Sequence, residues 1–158
     1  MNRIASRAAL GAAILAILAF NALAAEKSAH KAGPHHGGSS ATLMPQADLK
    51  WTNDPDHPGV QVAALQGDPG KGASHFFIKL PAGFAVPMHF HNADHWAAVV
   101  SGTMMLTPEG GTEKTLPAGS GFAFTGKKMH ATKCAEGADC VLFVDARGKW
   151  DVIPAEGK

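Results

Sequence analysis

The chain has 158 residues, a formal net charge of +1 with histidine counted neutral, nine histidines, two cysteines and no tyrosine. That length fits one domain, and so small a net charge gives no basic surface of the kind that draws nucleic acid or an anionic membrane. Two cysteines are too few for a disulfide-built scaffold, so the fold has to rest on an apolar core.

Arg3 and Arg7, the apolar run Ala8–Phe20 and the small-residue stretch "NALAA" read together as a Sec-type signal peptide over residues 1–25, with cleavage near Ala24 or Ala25. The apolar run is too short to span a bilayer comfortably and no stop-transfer segment follows it. The expectation is a periplasmic or secreted protein with no membrane anchor after cleavage. Cleavage would remove two arginines and no acid, moving the formal charge from +1 to −1. Residues 26–40, "EKSAHKAGPHHGGSS", lack apolar periodicity and read as a disordered linker, with His30, His35 and His36 part of a solvated tail.

Residues 41–158 form the expected folded domain. Short apolar runs, among them "VQVAALQG", "SHFFIKLPAG", "LPAGSGFAFTG" and "CVLFVDARG", alternate with Gly and Pro, and none has helical periodicity. Many short strands with a turn signal after each point to an all-β sandwich or barrel. In "KCAEGADCVLF", Cys134 and Cys140 read either as a disulfide closing a short turn or as two separate thiols, a choice that the Cα separation decides.

The stretch "GFAVPMHFHNADHWAAVVSG" places His89, His91 and His95 within seven positions of an apolar segment. On a strand, positions i and i+2 share a face, so His89 and His91 project together and Phe90 points away. His95 follows the turn "NAD" and could return over that face from the neighbouring strand; His130 lies on a later strand. Clustered imidazoles with no carboxylate repel when protonated and are costly to bury, and a metal removes both problems because it binds the neutral form. A metal site is therefore expected, with His89, His91, His95 and His130 as its candidate residues.

These residues resemble the cupin superfamily. Its first motif, G-x5-H-x-H-x3,4-E-x6-G, is matched by Gly83, His89, His91 and Gly102, with His95 in the place of the Glu. Its second, G-x5-P-x-G-x2-H-x3-N, is matched by Gly119 and His130, with Thr125, Lys127 and Cys134 replacing Pro, Gly and Asn. The resemblance covers residues 60–147 and implies an antiparallel jelly-roll β-barrel with one divalent transition metal ion in its mouth. Mn, Fe or Ni follow from the family, whereas imidazole affinity outside the cytosol favours Cu or Zn.

Acid–base candidates are sparse: Asp94 beside a ligand, Glu109 and Glu113 in a polar loop, Asp145 on a strand. No catalytic residue is assigned. The resemblance implies a metal-dependent dioxygenase-type oxidoreductase acting on a small organic molecule; the alternative is a non-catalytic binding domain with a structural metal. A small-molecule ligand is the expected partner, and a homodimer through an exposed sheet edge is the other.

Overall fold

The structure, a computed structural model, describes residues 41–155. The expected signal peptide and linker lie outside the described residues, so neither secretion nor a periplasmic location gains support from the structure. No helix among the described residues is long and apolar enough to cross a membrane.

The described residues form a 3-10 turn at Gln46–Asp48 and then eleven strands. They are β1 (Thr52–Asn53), β2 (Gln61–Gln66), β3 (Ser74–Leu80), β4 (Ala85–Phe90), β5 (His95–Ser101) and β6 (Thr103–Pro108), followed by β7 (Lys114–Pro117), β8 (Gly121–Phe124), β9 (His130–Cys134), β10 (Cys140–Ala146) and β11 (Ile153–Pro154). Strict alternation builds the central ones. Ser74, Phe76, Ile78 and Leu80 of β3 face inward, as do Cys140, Leu142, Val144 and Ala146 of β10. On β5 the inward set is His95, Ala97 and Val99, which leaves Trp96 and Val100 exposed on the outer face.

All pairings are antiparallel. One sheet runs β1-β2-β3-β10-β5-β8 and the other β11-β4-β9-β6-β7. Phe76, Val99, Leu142 and Val144 from the first pack with Met104 and Cys134 from the second in one buried cluster. Fully burying side chains such as Phe76 or Met104 stabilises by roughly 1.5–3 kcal/mol each.

This arrangement corrects the expected jelly-roll barrel. The all-β, antiparallel part of the expectation is what the structure has, but neither sheet closes. The outermost strands are short, two residues each in β1 and β11 and four each in β7 and β8, and Pro117 and Pro154 lack the N–H that a continuing ladder would need. The sheets are joined instead by chain crossovers. At Gly102, the only residue between β5 and β6, the chain passes from one sheet to the other with φ 76°, and a Cβ there would sit 2.6 Å from the Asp139 carbonyl oxygen. Beside it, Cys134 at the end of β9 and Cys140 at the start of β10 are disulfide-bonded across the sheets, with Cα atoms 5.8 Å apart.

Candidate metal centre

Plain alternation along β4 does not bring His89 inward. Val86 already faces the interior, and a residue three positions on belongs to the opposite face. The register with β9 resolves this: Val86 pairs with Thr132 and His89 with His130, so three steps on β4 oppose two on β9. This is a β-bulge, and it re-aims the strand at the position where the histidines begin. Pro87 occupies it, where the missing N–H leaves no ladder bond unmade. Its carbonyl accepts the Nδ1–H of His89 at 2.8 Å.

The other imidazoles are held by the same device. His91, just past the end of β4, donates from Nδ1 to the Asp151 carbonyl, and His130 donates to the Lys128 carbonyl at 3.0 Å. Each of these bonds leaves Nε2 as the nitrogen with a free lone pair. Ring centroids of the cross-strand pair His89 and His130 are 4.4 Å apart, and one ligating nitrogen from each of His89, His91 and His130 can be chosen so that all lie within 4.8 Å of one another.

His95 departs from expectation in its placement. It opens β5, which belongs to the facing sheet and is not a neighbour of β4, so it approaches from across the interior. Its ring lies 4.6 Å from that of His91 and 5.9 Å from that of His130, outside the tight group of three. It is nevertheless 2% exposed. The Ala93 carbonyl lies near enough to favour its protonation but not in hydrogen-bonding geometry, and its Nδ1 is buried without a partner.

Burial depresses the basicity of all four. His89 is lowered to about 4 and His91 to about 3, first by desolvation and then by neighbouring imidazoles, against the opposing pull of the carbonyls that their Nδ1–H groups meet. His95 and His130 are lowered for the same leading reason. All four are neutral at pH 7, the form that ligates.

Aromatic rings wall the group. Phe124 stacks on His130 with centroids 4.0 Å apart, and Trp150 stacks on His91 at 4.1 Å while meeting His95 edge-on. The segment after β10 is tied down by the Trp150 N–H to the Pro69 carbonyl and by the Asp151 carboxylate, which accepts both the backbone and side-chain N–H groups of Asn92. Trp150 and Asp151 are not legible in sequence, where "GKWD" offers no signal beyond one aromatic residue. Asp54 and His57, which line the same cavity, are marked only by "DPDHPG", which has the composition of a structured turn.

Behind the histidines lies a cavity of about 60 Å³, walled mostly by apolar side chains such as Val60, Ile78, Phe84, Met104 and Leu142, with Asp54, His57 and Thr132 also on its lining. Of the aromatic and methionine side chains that alternate around the histidines in sequence, Phe84, Met104 and Phe122 line it. The four acidic candidates lie elsewhere. Asp94 caps the Gly126 N–H at 2.7 Å, Asp145 pairs with His75 and Arg147, and Glu109 and Glu113 are exposed.

The donor set fits a divalent transition metal. Three neutral imidazoles with oriented Nε2 lone pairs and carbonyls behind them suit Zn, Cu, Ni or Fe, whereas Mg and Ca need oxygen donors that the group lacks. Three ligands alone also leave coordination positions open.

Comparison with known proteins bears on fold and family. Residues 39–157 match a family described as a domain of unknown function, DUF4437. No curated protein matches the chain. Among solved structures, the polyketide cyclase RemF from Streptomyces resistomycificus is similar at 18% identity and TM-score 0.61, over 75% of this chain and 88% of that one. An RmlC-like cupin protein from Ralstonia eutropha is similar at 25% identity and TM-score 0.57, over 69% of each chain. The DMSP lyase DddQ from Ruegeria pomeroyi gives 20% and 0.57, over 71% of this chain and 64% of that one. The fold is thus cupin-like. It is shared by proteins described as a cyclase and a lyase, so it does not select oxygen chemistry, and the oxidoreductase expectation is withdrawn.

Proposed function

On the premise that the chain belongs to the DUF4437 family and has a cupin-like fold, we propose that it binds one divalent transition metal ion and, at that ion, a small oxygen-chelating ligand. His89, His91 and His130 would hold the ion, with His95 as the fourth donor. The observation that carries this reading is the convergence of three buried, neutral imidazoles whose Nδ1–H groups are each committed to a carbonyl. A partnerless Nδ1 on the buried His95 ring supports its part, since that ring has no structural hydrogen bond to explain its burial. When bound, the ion supplies a Lewis-acid centre for ligand oxygen atoms. A cavity of about 60 Å³ suits a small ligand. The residues do the rest: the carbonyls hold the imidazoles in one tautomer, and the apolar walls exclude bulk water.

Metal titration of the full chain tests this, read by quenching of Trp150, whose ring stacks on His91. One ion per chain is expected, with binding abolished in His89→Ala. His95→Ala should weaken binding by more than the roughly 10–100-fold that losing an outer hydrogen-bond partner costs. Unchanged affinity in that variant would return the site to three histidines. A four-coordinate ion with no exchangeable water, seen by X-ray absorption, would overturn the ligand-binding part.

A further inference from the structure

The turn "DPDHPG", Asp54–Gly59, places a second polar pair on the cavity that holds the histidines. Oδ1 of Asp54 accepts the backbone N–H groups of Asp56 at 2.8 Å and His57 at 3.1 Å, and it lies 3.2 Å from Nδ1 of His57. The turn is pinned by two further bonds, Asp54 N–H to the Val60 carbonyl and Val60 N–H to the His57 carbonyl, at a valine that is 1% exposed. With Nδ1–H given to Asp54, Nε2 of His57 is left as an acceptor. The ring meets Phe84 edge-on at 6.3 Å between centroids. On its outer side His57 lines a groove together with β4 residues Ala85–His89 and the apolar Val152 and Pro154, while its Nδ1 is engaged by Asp54 from its own turn.

Among the described residues, Asp54 and His57 are the only titratable ones lining this cavity outside the histidine group. That group contributes no negative charge, so a divalent ion held there keeps its full charge and favours an anion beside it. A weak acid arriving in its neutral form becomes that anion only by giving up a proton, and His57 backed by a carboxylate is built to take one.

We propose that His57, supported by Asp54, accepts the proton of the ligand bound at the histidine group, and that the cavity takes a small weak acid of the enol or hydroxamic-acid class. The ligand O–H bond breaks, its proton moves to Nε2 of His57, and the electron pair stays on the ligand oxygen. The imidazolium so formed is held by the Asp54 carboxylate, and nothing is oxidised or reduced. This rests on the ligand-binding reading above.

The test uses the nickel-loaded full-length chain and acetohydroxamic acid, which is neutral in solution and loses a proton on chelation. Titration calorimetry near neutral pH, in two buffers of different protonation enthalpy, counts the protons released to solvent per ligand bound. The wild type should release almost none, and His57→Gln about one. Asp54→Asn, which keeps an oxygen for the N–H groups of the turn, should shift release the same way and carries the test if His57→Gln does not fold. Equal release from wild type and variants overturns the role of His57 alone. Failure of the loaded wild type to bind the hydroxamate overturns both this role and the ligand-binding reading.

Discussion

Acid should destabilise the metal-free domain well before its carboxylates are protonated. His89 and His91 are 3% and 4% exposed and titrate at about 4 and about 3 in the fold, against 6.5 for the free side chain. Above pH 6.5 both folded and unfolded chains carry them neutral, and they contribute no pH dependence. Below it the unfolded chain binds protons that the folded chain refuses, so stability falls with falling pH until the folded values are reached. One pH unit corresponds to about 1.4 kcal/mol per group, so between pH 6.5 and about pH 5 the two histidines together remove roughly 3 kcal/mol. His95 and His130, also lowered, act in the same direction. Against a typical total of about 5–15 kcal/mol, that loss is large. Urea unfolding of chelator-treated protein, followed by far-UV circular dichroism across this range, measures it directly. His89→Gln should flatten the dependence, and saturating zinc should hold the plateau to lower pH by competing for the same nitrogens. A metal-free stability that is constant or rising from pH 6.5 to about pH 5 would refute the reasoning, because the histidines would then already be charged in the fold.

Lys127 holds φ 65°, the only non-glycine residue in the left-handed region among the described residues, at the position where the related motif has Gly. Lys127→Gly should therefore stabilise the domain by about 1 kcal/mol in urea at unchanged m-value, and a loss of stability would mean that its side chain is needed there. Reducing the Cys134–Cys140 bond, which closes a loop with a sequence separation of 6, should lower stability by about 2 kcal/mol, whereas an unchanged urea midpoint under reductant would show that the core alone clamps that end.

The strand content was legible because the apolar runs are short, alternate and end in Gly or Pro, and β3 and β10 follow that alternation without a break. The histidines stood out for the opposite reason, being charges-in-waiting set among apolar residues. What could not be read was the bulge that turns His89 inward. Alternation counted back from His89 puts Val86 outside, and only the pairing with β9 shows that one residue is extra. The partner sheet of β5 was equally hidden: "NAD" reads as a hairpin turn, yet β4 and β5 lie in different sheets. Long-range partners such as the Asp151 carbonyl, sixty residues from His91, leave no local trace at all.

The two ends of the sandwich are held by different means. At one end the disulfide, Gly102 and the buried side chains around Met104 bring the sheets together by covalent and apolar contact. At the other, four strand steps back along β9 and about 13 Å away, the inward position is taken by His130, at the histidine end of the cavity that runs between the sheets. There the five-stranded sheet contributes His89 and His130 from its paired strands, with His91 just beyond β4, while the six-stranded sheet contributes only His95. Whether His95 ligates therefore decides more than a coordination number. With three histidines an ion would be held by one sheet alone, leaving room for a ligand toward the other. With His95 it bridges the sheets and closes the end that the apolar core leaves apart, so metal binding would then stabilise the fold by more than it does in His95→Ala. That difference in metal-induced stability can be measured independently of any reaction.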